Sequence, residues 1–132
     1  MTIHSTVSNI PVSADQIVAF LKIPVNILKI LPGDRIENTA SDELGCSFRI
    51  KGLADISIEL DSADVKKVAY RSKGDKPFSF VLTFNIEEAG SNTNLNIDLD
   101  ADVNAFMGAM IKAPLENFLN ELVKKLSEHF ES

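Results

Sequence analysis

The chain has 132 residues, 45% of them hydrophobic and 24% charged, a composition of ordinary globular domains rather than disordered segments. Thirteen basic against nineteen acidic residues leave a net charge of −6, which repels phosphate backbones and excludes a basic nucleic-acid interface as the expectation. The single cysteine, Cys46, has no partner for an internal disulfide and no Cys/His cluster beside it, so neither a structural metal nor a bound cofactor is expected.

The first residues, MTIHSTVSNIPVS, lack a basic n-region and a long apolar run, and no apolar stretch approaches the ~20 residues of a membrane span. A cytoplasmic protein without stable membrane insertion is the expectation. The length predicts one domain over residues 1–132.

Ile3 to Ile10 carries β-branched residues in rough alternation and predicts a first strand, stopped by Pro11. Ser13 and Gln16 then form an S-x-x-Q capping box, with Val12 and Ile17 at the staple positions, and Ile17, Phe20 and Leu21 share one helical face. Pro24 suits the first turn of a second short helix carrying Ile27, Leu28 and Leu31, which Pro32-Gly33 ends.

From Asp34 to Asn104 the period changes to two, with turn residues about every ten positions, the pattern of an antiparallel meander. In Glu43 to Lys51 the residues Leu44, Cys46, Phe48 and Ile50 share a face, and Ala54, Ile56, Ile58 and Leu60 follow suit beyond the Gly52-Leu53 turn. Phe78, Phe80, Leu82, Phe84 and Ile86 line a later strand, answered by Leu95, Ile97, Leu99, Ala101 and Val103 across Gly90-Ser91-Asn92. The natural register of that hairpin sets Phe84 opposite Ile97, Leu82 opposite Leu99 and Phe80 opposite Ala101.

Asp64 to Lys73 is ambiguous, because either Val68 and Tyr70 or Lys67 and Arg71 can face inward. Burying two cations without carboxylates is costly and favours Tyr70 inward, whereas a two-residue turn at Ser62-Ala63 favours the reverse. Helical spacing returns from Ala105 to Phe130, with Asn104 as cap and a stripe running from Ile111 and Leu115 to Leu126 and Phe130. Pro114 removes a backbone hydrogen bond and predicts a kink, or a division of this helix near Met110.

The motifs point to no catalysis. Asp98, Asp100, Asp102 and Asn104 open like a calcium loop, but the glycine and glutamate such a loop needs are replaced by Val103 and Ala109, and the run is strand-like. His4 and His129 stand apart in sequence without a neighbouring motif, Cys46 lies on an apolar face, and the pairs Glu43/Glu59 and Glu87/Glu88 belong to wet faces or strand ends. No catalytic residue is assigned.

The order strand, two short helices, six meandering strands and a long C-terminal helix, with Pro11-Val12-Ser13-Ala14 closing the first strand and Pro32-Gly33 before the second, resembles the helix-grip fold of the START-like (SRPBCC) superfamily. The expected fold class is α+β: a seven-stranded curved antiparallel sheet wrapped around the C-terminal helix. That superfamily includes lipid and sterol carriers, hormone receptors, polyketide cyclases and aromatases, and chaperone-activating domains, so the fold leaves function open.

The resemblance implies a cavity between the concave sheet face and the C-terminal helix. Its expected lining is Phe48, Ile58 and Tyr70 from the middle strands, Phe80, Leu82, Phe84 and Ile97 from the late hairpin, Leu28 from the second short helix, and Phe106, Met107 and Met110 near Pro114. The same residues also fit simple core packing. The expected function is noncatalytic binding of a hydrophobic small molecule or lipid. A cyclase- or aromatase-like enzyme in the same cavity, and a protein-interaction module with a filled core, are the alternatives.

Overall fold

The computed structural model describes residues 1–131. In chain order the elements are β1 (Thr2–His4), β2 (Ser8–Ile10), α1 (Ala14–Leu21), α2 (Pro24–Lys29), a short 3-10 turn (Gly33–Arg35), β3 (Ile36–Ser41), β4 (Gly45–Ile50), β5 (Ala54–Ala63), β6 (Lys67–Ser72), β7 (Phe80–Ala89), β8 (Asn92–Ala101) and α3 (Ala105–Glu131). All strands form one antiparallel sheet in the order β1-β8-β7-β6-β5-β4-β3, with β2 also pairing β8. β1 and β2 therefore share one place in the sheet. The seven expected strand positions are present, with the first strand broken in two.

The break has a physical reason. Ile3 pairs with Leu99 but Ser8 pairs with Leu95, so one extra residue is accommodated between them, a bulge that reverses the side-chain parity. Unbroken alternation would turn Ile3 and Ile10 to opposite faces, whereas both are buried in the core. The Ser5 hydroxyl accepts from the Ile97 N–H at 2.7 Å, and the Thr6 N–H donates to Asn120 Oδ1 of α3 at 2.8 Å, so the irregular backbone keeps partners.

The S-x-x-Q box caps α1 as expected, Ser13 Oγ accepting from the Gln16 N–H and Gln16 Oε1 from the Ser13 N–H. Pro24 opens α2. The β7–β8 hairpin has the predicted register, including Phe84 opposite Ile97, Leu82 opposite Leu99 and Phe80 opposite Ala101, and turns at Gly90, whose φ of 70° favours glycine.

One expectation needs correction, and two open alternatives are decided. Leu44 lies just before β4 and is exposed, because Asp42 accepts from the Leu44 and Gly45 N–H groups and holds a turn there. Ser62 and Ala63 remain in β5, and the β5–β6 turn is made instead by Asp64, which accepts from the N–H groups of Lys66 and Lys67. These backbone donors hold both aspartates below the ordinary carboxyl value. Finally, α3 runs without division through Pro114 over 27 residues, started by Asn104, whose side chain accepts from the Met107 N–H at 2.8 Å. Among the described residues no helix is long and apolar enough to cross a membrane.

The concave sheet face, α1, α2 and the later turns of α3 enclose one hydrophobic cluster. Arg35 Nη1 meets Glu121 Oε1 at 2.7 Å and ties the 3-10 turn before β3 to α3. Among the described residues no buried side-chain polar atom lacks a partner.

Candidate functional site

Inward parity on four strands builds an apolar cavity beneath α3. β4 contributes Phe48 and Ile50, β5 Ile56 and Ile58, and the start of β7 Phe80 and Leu82, with Phe78 just before it. Leu99 of β8 and Leu115, Phe118 and Leu119 of α3 complete the wall. Its volume is about 40 Å³, and every lining residue is apolar. Ile56 and Phe78 are only half-buried, which puts the mouth at the end of the sheet where β5 and β7 begin.

The space persists because aromatic rings bound it. Phe48 and Phe118 stack with centroids 6.4 Å apart, and Phe78 meets Phe80 edge-on at 5.9 Å. Rigid rings from a sheet and a helix do not interdigitate as completely as branched aliphatic side chains do. A void of this size takes a few carbon atoms, well short of a whole lipid.

Of the expected lining residues, Phe48, Ile58, Phe80 and Leu82 line this cavity. Phe84 and Ile97 are buried farther along the hairpin, and Leu28 is half-buried against the core from α2. Phe106, Met107 and Met110 stand elsewhere: they are 78%, 38% and 65% exposed. The helical phase explains this, since Phe106 and Met110 lie on the side of α3 opposite Gly108 and Leu115, which are buried. The space is bounded one turn beyond Pro114, not at the methionines. Ile50, Ile56 and Leu99 belong to the wall although they were not singled out, and their parity with Phe48, Ile58 and Leu82 is the signal that identifies them.

Tyr70 faces inward, and Lys67 and Arg71 face solvent. A bulge in β5 between Leu60 and Ser62 resets the parity that a tight turn would otherwise impose. Arg71 is held outside by Glu59 at 3.0 Å and Asp61 at 3.1 Å. The phenol, however, is not part of the cavity wall. Its hydroxyl donates to the Leu21 carbonyl at the end of α1, at 2.6 Å and fully buried, and burial raises its pKa above the ordinary value. Replacing Tyr70 by phenylalanine strands that buried carbonyl and is expected to cost about 1–2 kcal/mol in denaturant unfolding, with binding in the cavity unchanged.

The other titratable candidates are likewise committed. Burial, with Asp42 nearby, pushes the Cys46 thiol up to about 11, so it is protonated at neutral pH and a poor nucleophile. His4 Nδ1 lies 2.6 Å from Asp98 Oδ1 on the outer sheet face, where Asn85 and Asn96 also donate to Asp98. His129 packs its ring 4.4 Å from that of Phe20. Among the described residues no group of His, Cys, Asp or Glu is arranged to hold a metal.

No protein-family model matches the chain, and no curated protein matches it. Solved structures do match over nearly its whole length. A START superfamily protein from Mycobacterium smegmatis is similar at a TM-score of 0.74 and 17% identity, covering 98% of this chain and 97% of that one. An uncharacterised protein from Bacillus thuringiensis is similar at 0.75 and 14% identity, covering 100% of both chains. Norcoclaurine synthase from Thalictrum flavum is similar at 0.72 and 13% identity, covering 98% of this chain and 85% of that one. The agreement extends from β1 through α3, and the chain has the START-like (SRPBCC) helix-grip fold, with no particular subfamily indicated.

Proposed function

We propose that this protein binds a hydrophobic small molecule, without transforming it, between the sheet and α3. The observation that carries this reading is the wholly apolar wall of a cavity that opens at Ile56 and Phe78. A slender apolar end, an acyl chain or one ring, enters first. A larger ligand gains room as the Phe48, Phe78 and Phe118 rings change rotamer.

Binding is favoured over turnover because cyclase or aromatase chemistry needs a proton donor or acceptor facing the substrate. The wall supplies none, and the Tyr70 hydroxyl is already bonded to Leu21. That one structural neighbour is named a synthase bears on the fold alone.

Native mass spectrometry of gently purified protein, with a thermal-shift series of fatty acids and aromatic compounds, tests the reading. A retained apolar ligand, or stabilisation by one such compound, is expected. Leu99→Phe, which fills the cavity from β8, should weaken that binding at least tenfold while the melting temperature without ligand holds. Absence of any retained ligand together with no stabilisation by any apolar compound would overturn the proposal.

A further inference from the structure

The outward face of α3 changes character halfway along the helix. Positions three and four apart on the side away from the sheet are Phe106, Met110, Ala113 and Asn117, and then Lys124, Glu128 and Glu131, all of them exposed. The later positions carry the charges of a solvated helix face. The first four carry none, although Phe106 and Met110 are 78% and 65% exposed. Ala109 and Pro114 beside them are exposed and uncharged as well, while Lys112 and Glu116 lie round the flank of the helix. Apolar exposure on the very face that the same helix elsewhere fills with charge marks a surface that a partner covers.

We infer that this face pairs with its own copy, two α3 helices packing antiparallel across a two-fold axis that passes between Ala109 and Met110. Size selects this occupant, because the face fits itself. About that axis Phe106 lies opposite the partner's Ala113, and Met110 opposite the partner's Ala109, so each large side chain meets a small one and the helices can approach to about 8–10 Å. A two-fold contact requires such self-complementarity.

Charge selects it too. The same register sets Asn117 level with the residues just before the partner's helix begins, so Lys124 and Glu128 come only after the partner helix has ended. Two copies of a chain with a net charge of −6 repel one another in general, and here they meet on a face with no charge to repel. The helix from Ala105 to Asn117 is about 20 Å long, and one face of it buries roughly 400–500 Å² per copy, about half of a standard interface. The dimer is therefore transient, with a dissociation constant of roughly 10–100 µM.

Analytical ultracentrifugation of the full chain, in a concentration series spanning that range, tests the inference. A monomer–dimer equilibrium is expected. Ala113→Glu, which sets a carboxylate against the partner's Phe106, should raise the dissociation constant at least tenfold, and so should Phe106→Ser combined with Met110→Ser. Lys124→Ala, on the same face beyond the partner helix, should leave it unchanged. These positions are exposed, so melting curves of the diluted variants should match the parent's. A short bis-maleimide should cross-link Ala109→Cys to its own copy but not Asn117→Cys, whose two copies stand about 20 Å apart in this register. The parent, whose Cys46 is buried, should not cross-link.

A chain that stays monomeric throughout the series overturns the inference, as does a dimer that neither the glutamate nor the double serine variant weakens. Equal cross-linking at positions 109 and 117 overturns the antiparallel pairing. A monomer that sediments with phosphatidylcholine vesicles, and no longer does so as the double serine variant, would assign the face to a bilayer and likewise overturn it.

Discussion

Phe118→Ala is expected to lower stability by about 3–5 kcal/mol and, at the same time, to enlarge the set of apolar ligands the protein holds. Phe118 is only 6% exposed, stacks with Phe48 and forms part of the cavity wall. Truncation removes a ring's worth of transfer free energy and leaves a void, because the sheet and α3 cannot close over it completely. The new space joins the existing cavity. Urea unfolding reports the first effect, and thermal shifts with acyl chains of increasing length report the second. If stability falls while the preferred chain length stays the same, the ligand does not occupy this cavity. Leu99→Phe changes the space in the opposite direction, so the two variants should move ligand size preference oppositely.

Gly45→Ala is expected to cost about 3 kcal/mol, although it adds a single methyl group. A Cβ at this position would stand 2.1 Å from the Ile58 carbonyl oxygen and 2.9 Å from Glu59 Cα. Both atoms are backbone in the paired strand β5, so neither can swing aside without breaking the Gly45–Glu59 and Cys46–Ile58 pairs. Gly108→Ala is the control. Its Cβ would meet the Met1 Sδ at 2.9 Å, the end of a flexible side chain that can rotate away. Alanine also gains up to about 1 kcal/mol of helix propensity over glycine. Denaturant unfolding should therefore separate the variants by several kcal/mol, and a Gly45→Ala protein as stable as Gly108→Ala would contradict the close β4–β5 approach.

Elements set by local chemistry were legible from the residues alone. The Ser13/Gln16 box, Pro24 at the start of α2, Asn104 before α3 and the β7–β8 register all depend on residues near one another in the chain. A capping hydroxyl or a two-residue turn acts over a few bonds, so its outcome follows from the segment itself. Alternation likewise identified Phe48, Ile58, Phe80 and Leu82 as inward, and they do line the cavity.

Bulges and helical phase were not legible in this way. Alternation alone cannot bury both Ile3 and Ile10, and a tight turn at Ser62-Ala63 would have turned Tyr70 outward; a one-residue shift in β1–β2 and another in β5 decide both. Such shifts are selected by what the strand must pack against, which lies far away in the chain. Met107 and Met110 resembled cavity residues by type and by proximity to Pro114, but only the docking of α3 through Gly108, Leu115 and Phe118 sets which side of the helix faces the sheet.

The amino-acid sequence by itself determined the order of elements and the inward face of the regular strands, because periodicity and caps are properties of the chain. Tertiary structure alone decided that the hollow is small, wholly apolar and opens beside Phe78, that the Tyr70 hydroxyl is spent on Leu21, and that Phe106 and Met110 look outward. Unfilled volume and exposure arise only when distant elements meet, and they are set by how rings from the sheet fit against one face of a helix.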